Sequence, residues 1–184
     1  LLLIPDLKLI CFDSPNGANG YLSNRYPSSF AIGEDEFFCV EQFMMYTKAL
    51  TFNDDDIAEQ ILDSEDPDEI NELGRQVSGY DDVIWNGLRQ AVVYEGLKAK
   101  FDQDDELCAR LLATDEALLA ECTVKEYIWG IGLSILDANR KDIDCWKGQN
   151  LLGFSLMRVR ERLRIDHAGS RYHRSNLAKK IVYD

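Results

Sequence analysis

The sequence predicts a single, mainly helical (α+β) domain with a small N-terminal antiparallel sheet. Three observations carry this expectation. Short aromatic and β-branched runs between turn residues are confined to the first forty positions, and from Val40 onward apolar residues recur at helical spacing. The 184 residues, 46% of them hydrophobic, supply one core and not two.

Taken in order, Leu9-Ile10-Cys11-Phe12 reads as a strand. Phe30-Ala31-Ile32, the turn Gly33-Glu34-Asp35-Glu36 and Phe37-Phe38-Cys39 read as a hairpin. The segment Ser14 to Pro27 between them is rich in Asn, Gly, Ser and Pro and reads as a loop of the kind that carries binding groups. Helices follow over Val40 to Leu50, around Ile57 to Leu62, and around Ile70 to Val77, where Asp66-Pro67 supplies cap and first turn. The longest candidate, Asp82 to Phe101, has apolar residues Ile84, Leu88, Ala91, Val92, Val93, Leu97 and Phe101 on more than one stripe, which predicts the most buried helix. Leu107, Cys108, Leu111 and Leu112 mark another. Thr114-Asp115-Glu116 offers the cap of a short turn ending near Glu121, and Asn150 opens a last helix with Leu152, Leu156, Val159 and Leu163 inward.

Composition excludes several classes. The Leu1 to Ile4 opening is far short of the roughly 18 apolar residues of a membrane span, so no membrane partner is expected. Charge is uneven: residues 158–184 carry 8 basic and 3 acidic residues, whereas the rest carries 12 against 30. An acidic body repels a phosphate backbone, so nucleic-acid contact is expected only at a single-stranded or flipped base in a local pocket. Five cysteines without a C-x-x-C pair, with only His167 and His173 to complement them, fit neither a zinc site nor a disulfide framework. The expected compartment is the reducing cytoplasm. With so few histidines, catalysis falls to carboxylates, Lys or Tyr.

Three clusters could hold such chemistry. Spacings of four and seven place Glu41, Met45 and Lys48 on one face of a helix; a carboxylate and an ammonium bordering the core acquire shifted pKa values, though a plain surface ion pair has the same spacing. Glu121-Cys122-Thr123-Val124-Lys125-Glu126 precedes Trp129-Gly130-Ile131-Gly132, where glycine admits close backbone approach and Trp129 offers a stacking ring, or a core residue beside a turn. Lys147-Gly148-Gln149-Asn150 feeds a helix N-terminus suited to an anion, without being a P-loop or dinucleotide fingerprint.

The order of these blocks is more specific than any one of them. Tyr21-Leu22-Ser23-Asn24-x-Tyr26-Pro27-Ser28-x-Phe30, Phe38-x-Val40-Glu41-Gln42-Phe43-x(4)-Lys48-Ala49, Leu73-Gly74-Arg75, Trp85, Lys100-Phe101, Trp129-Gly130-Ile131-Gly132 and Gly148-x-Asn150-x-Leu152-Gly153-x(3)-Met157-x-Val159-Arg160 together resemble the NADAR family, the YbiA-like N-glycosidases. The resemblance covers residues 10–164 and leaves 165–184 as a basic C-terminal tail. It implies a YbiA-like helical domain that hydrolyses the bond between a ribose, as ADP-ribose or phosphoribose, and a nucleobase-like group, with no cofactor and no metal. Its implied substrates are riboflavin-pathway phosphoribosyl-aminopyrimidines or an ADP-ribosylated guanine. By position, the resemblance implies catalytic roles for Glu41, Trp85, Glu126 and Lys48. Asn24, Tyr26, Arg75, Trp129, Gly130 and Asn150 are the expected substrate-binding residues. The chain departs from the family in having Gln42 where His is usual and Glu126 where Asp is usual. Gln cannot carry a proton, so any acid-base duty of that His is lost.

Breaking such a bond gives the ribose C1′ oxocarbenium character. A carboxylate stabilises it and orients water while a second group helps the base depart. On this reading Glu41 takes the first role and Glu126 the second, or the two exchange. Trp85 or Trp129 stacks on base or sugar. Lys48 neutralises a phosphate, holds Glu41 ionised, or attacks the opened ribose as a Schiff base. The alternative from another class is a non-catalytic module that binds ADP-ribose or a nucleotide, which binding without base release would reveal.

Overall fold

A computed structural model describes residues 8–181, with side chains through residue 168. The expectations about Leu1 to Ile4 and about the His173 side chain lie outside the described residues.

Among the described residues, four strands and six α-helices follow in the order β1 (Leu9–Phe12), β2 (Phe30–Ile32), β3 (Asp35–Phe37), α1 (Val40–Thr51), α2 (Asp55–Asp63), α3 (Pro67–Gln76), α4 (Asp82–Asp102), α5 (Asp105–Leu112), β4 (Leu118–Glu121) and α6 (Leu151–Ile181). Acidic caps punctuate the helices. Asp54, Asp66, Asp81 and Asp104 each accept a backbone N–H from the first turn of α2, α3, α4 and α5, with Pro67 pre-set at the start of α3. Part of the negative charge of the body is therefore spent on helix ends, where it also opposes the positive pole of the helix.

The expected hairpin is present, but its second strand starts two residues earlier than read, within the expected turn: β2 and β3 pair antiparallel with Phe30 opposite Phe37 and Ile32 opposite Asp35, around Gly33 at φ 67°. A second pair corrects the reading of the segment after Thr114. Where a short turn was expected, Leu118–Glu121 is a strand, β4, parallel to β1 with Cys11 opposite Ala120 and Phe12 opposite Glu121. Its four residues, Leu-Leu-Ala-Glu, contain no β-branched or aromatic residue, so the parallel partner rather than local propensity makes it a strand.

The main core lies where α1, α4 and α6 meet beneath the strands, with Phe37, Val40, Phe43, Leu97, Phe101, Leu119, Leu156 and Val159 among its buried members. Phe30, Phe37 and Phe43 pack edge-on or tilted at ring-centroid distances of 5.1 to 6.4 Å. A smaller cluster of Ala49, Ile61 and Ile70 fastens α2 and α3 to α1. Only the C-terminal half of α4 is the buried helix expected from sequence. Val93, Leu97 and Phe101 are buried, but Ile84 and Leu88 are 50% and 42% exposed. Toward its start Trp85 is buried, while Val83, Ile84 and Leu88 face outward. The segment expected as a basic tail continues α6 as far as Ile181.

Candidate active site

A cavity of about 530 Å³ opens between the Asp13–Arg25 loop, the N-terminus of α1, α3 and the segment that follows β4. Glu41, Glu121 and Glu126 line it together with Asn24, Asn71, Arg25, Arg75 and Trp129.

Glu41 sits in the first turn of α1, the acid-favouring end of a helix. Its backbone N–H donates to the Asn24 carbonyl at 2.8 Å, which locks the loop onto the helix start. Both carboxylate oxygens receive amides: Asn24 Nδ2 donates to Oε2 at 2.5 Å and Asn71 Nδ2 to Oε1 at 2.8 Å. Burial pushes this carboxyl above the ordinary range, with the Glu126 charge adding to it and the Asn71 bond and the Arg25 and Arg75 charges opposing. Two amide donors on the two oxygens favour the ionised form.

Glu121 ends β4 on the same cavity and is almost completely buried. Its Oε2 has no hydrogen-bond partner, and burial, followed by repulsion from Glu126 and Glu41, raises its carboxyl to about 8. It keeps its proton at neutral pH. Sequence reasoning placed Glu121 in a turn and gave it no role. The signal that could have found it is alternation: in a strand, Glu121 shares a face with Leu119, while Ala120 and Cys122 turn the other way into a separate cluster with Ile131 and Leu133.

Glu126, by contrast, is tied to its own loop, its Oε1 accepting the backbone N–H groups of Ile128 and Trp129 at 3.0 and 3.2 Å. That cap orients Trp129, whose ring lies 5.9 Å from the Arg89 guanidinium. At the mouth, Arg25 pairs with Asp68 and Arg75 with Glu72 at 3.2 Å.

Of the residues expected from sequence, the fold thus brings Glu41, Glu126, Asn24, Arg75 and Trp129 to one cavity. The other five are elsewhere. Lys48 lies seven residues, or about 10 Å, further along α1, donating to the Gly74 carbonyl at 2.6 Å with its ammonium 4.3 Å from the Tyr80 ring. Trp85 is buried in the first half of α4 and does not line the cavity. Tyr26 packs its ring 5.1 Å from the Lys100 ammonium. Gly130 fits tightly behind the site, where a Cβ would stand 2.8 Å from the Glu121 carbonyl. Asn150, at φ 53° and fully buried, clamps β4: its Oδ1 accepts from Glu121 N and its Nδ2 donates to Leu119 O. At this turn Asn150 thus serves as a structural fastener of β4.

Gln42 points away from the cavity altogether. Its Oε1 accepts from Phe38 N, and its Nε2 lies 2.8 to 3.0 Å from the carbonyls of Ile61, Leu62 and Ser64 at the end of α2. One residue along a helix turns a side chain by about 100°, so Glu41 and Gln42 cannot share the site. The expected loss of an acid-base group at position 42 therefore does not arise at this cavity.

Residues 11–164 match the family model described as the NADAR domain. The chain is 37% identical over 126 residues to N-glycosidase R617 of Acanthamoeba polyphaga mimivirus, covering 68% of this chain and 74% of that protein. It is 35% identical over 121 residues to N-glycosidase YbiA of Escherichia coli strain K12, covering 66% of this chain and 69% of that one. The NMR structure of Escherichia coli YbiA superposes with a TM-score of 0.74 and 29% identity over 90% of both chains. A riboflavin biosynthesis protein of Vibrio vulnificus is 31% identical over 86% of this chain, which spans 39% of that longer protein.

Proposed function

The chain belongs to the NADAR family, and from that membership we propose that it is an N-glycosidase whose cavity hydrolyses the bond between a ribose and a nucleobase-like group. The observation that supports this most directly is the pair Glu41 and Glu121. Two carboxyl groups line one cavity in unlike surroundings: Glu41 receives two amide donors, which oppose the effect of its burial, while Glu121 is buried with its Oε2 unpartnered and its carboxyl raised to about 8.

In the mechanism that follows, the C1′–N bond breaks with its electron pair going to the base. Glu121 delivers its proton to that base, a role the sequence reading gave to Glu126. The ionised Glu41 faces the positive C1′, orients water and takes its proton as the new C1′–O bond forms. Glu126 fixes the loop bearing Trp129, and its charge helps to keep Glu121 protonated. Trp129 stacks on the base. Arg25 and Arg75 meet the phosphate of a phosphoribosyl or ADP-ribosyl group, so the ligand is a small nucleotide-like molecule or an ADP-ribosylated base. The five cysteines are free thiols, which supports a reducing cytoplasmic setting. No described helix is long and apolar enough to cross a membrane.

The test is a product assay by mass spectrometry with an ADP-ribosylated guanine oligonucleotide and, separately, phosphoribosyl-aminopyrimidines. Release of ADP-ribose or ribose 5-phosphate, abolished in Glu41→Gln with binding retained, is expected. Binding of ADP-ribose without any release by the parent protein overturns the enzyme reading in favour of a binding module.

A further inference from the structure

On the opposite face of the β1–β4 ribbon from the carboxylates lies a second cavity, also about 530 Å³, lined by Leu9, Cys11, Ile135, Arg140 and Lys141. Its chemistry differs from that of the first. Among these described residues there is no acid, although the protein as a whole carries a net charge of −13. Two cations flank one half-buried thiol, and the apolar floor is continuous with the cluster around Ala120, Cys122, Ile131 and Leu133.

We propose that this cavity is a thiol-modification site, in which Cys11 forms a mixed disulfide with an anionic low-molecular-mass disulfide held by Arg140 and Lys141. The geometry assigns each part. Cys11 is opposite Ala120 in the parallel register, so Cys122, two residues on, lies on the same face, its thiol donating to the Ala120 carbonyl at 3.7 Å. The neighbouring Cys122 thiol, with the Arg140 and Lys141 charges added and burial opposing, brings the Cys11 thiol down to about 7, while Cys122 is raised, first by Cys11 and then by burial. Cys11, which lines the cavity beside the two cations, is the nucleophile, and Cys122 is its buried neighbour. Arg140 is anchored, its Nη1 donating to the Asp137 carbonyl at 2.7 Å and its own carbonyl accepting from Trp146 Nε1 at 2.8 Å.

The step balances as thiol–disulfide exchange. The Cys11 thiolate attacks one sulfur of the incoming disulfide, the new S–S bond forms as the old one breaks, and the leaving thiolate takes a proton from solvent. Cys11 is oxidised and half of the incoming disulfide is reduced.

The molecule contains its own reference thiol. Cys145 is exposed, but it donates to the Asp142 carboxylate at 3.5 Å, and its thiol is raised. The experiment incubates the whole protein at pH 7.5 with glutathione disulfide, which is anionic, or with cystamine, which is cationic, and locates adducts by peptide mass mapping. Glutathione disulfide is expected to modify Cys11 at least about tenfold faster than Cys145 and to react faster there than cystamine. Lys141→Glu, a change at an exposed position, is expected to slow the glutathione reaction by about threefold or more and to speed the cystamine reaction. First modification at Cys145, an unchanged preference in Lys141→Glu, or an internal Cys11–Cys122 disulfide as the sole product would overturn the proposal.

Discussion

Glu41 and Glu121 line one cavity, yet Glu41 receives two side-chain amides while Glu121 Oε2 receives nothing. Glu41→Gln is expected to reduce turnover by two orders of magnitude or more, on the order of what loss of one electrostatic transition-state contact costs, with substrate binding nearly unchanged in calorimetry. For Glu121 the pH profile is diagnostic. A proton donor with a pKa of about 8 works below that value and fails above it, so kcat should fall as pH rises through about 8, and this limb should be absent in Glu121→Gln. The same residue leaves a mark on stability. Unfolded, a glutamate loses its proton at about 4.3, whereas the folded chain holds it to about 8. Between those values the folded state binds the extra proton, so its contribution makes stability fall with rising pH by at most about 1.4 kcal/mol per unit. Glu121→Gln should flatten that slope in urea melts at pH 5 and pH 8, making a slower enzyme that is the more stable one at pH 8.

At the scale of elements, two buried polar side chains hold the walls of the site. Lys100 of α4 is wholly buried and donates to the carbonyls of Tyr21 and Ser23 at 2.8 and 3.0 Å, fixing the loop that presents Asn24 to Glu41. Burial brings its ammonium down to about 7. From there to the unfolded value of about 10.4 the unfolded chain binds more protons, so this residue makes stability rise with pH. Lys100→Met is expected to remove that rise between pH 7 and 9 and to raise KM through a loosened Asn24. Asn150 does the same service for β4. Asn150→Ala loses two bonds to buried backbone groups and the tolerance of Asn for the left-handed backbone at φ 53°, for which a loss of about 2–4 kcal/mol in chemical denaturation is expected. Asn150→Gly, which tolerates the backbone, should lose less.

Across the whole molecule, an acidic body carries a cavity whose mouth holds Arg25 and Arg75, each facing an acid, Asp68 or Glu72. A phosphate must compete with those acids, so affinity should weaken with added salt. Arg75→Ala is expected to raise KM severalfold for a phosphorylated substrate while leaving kcat close to that of the parent, because the phosphate is remote from the breaking bond.

The sequence by itself determined the helical body, the Asp-capped helix starts, the β2–β3 hairpin and the family, because these rest on local spacing, local capping and the order of motifs. The five residues Glu41, Asn24, Glu126, Arg75 and Trp129, expected from the resemblance, line one candidate cavity. What only the tertiary structure decided was β4, since a Leu-Leu-Ala-Glu segment becomes a strand only when β1, more than a hundred residues earlier, lies beside it. With β4 came the burial of Glu121, the role of Asn150 as its clamp and the placing of Cys11 and Cys122 on one face. Helix phase settled Gln42, and packing in three dimensions left Ile84 and Leu88 of α4 exposed. Burial and long-range pairing set these protonation states, and neither is written in the spacing of neighbouring residues.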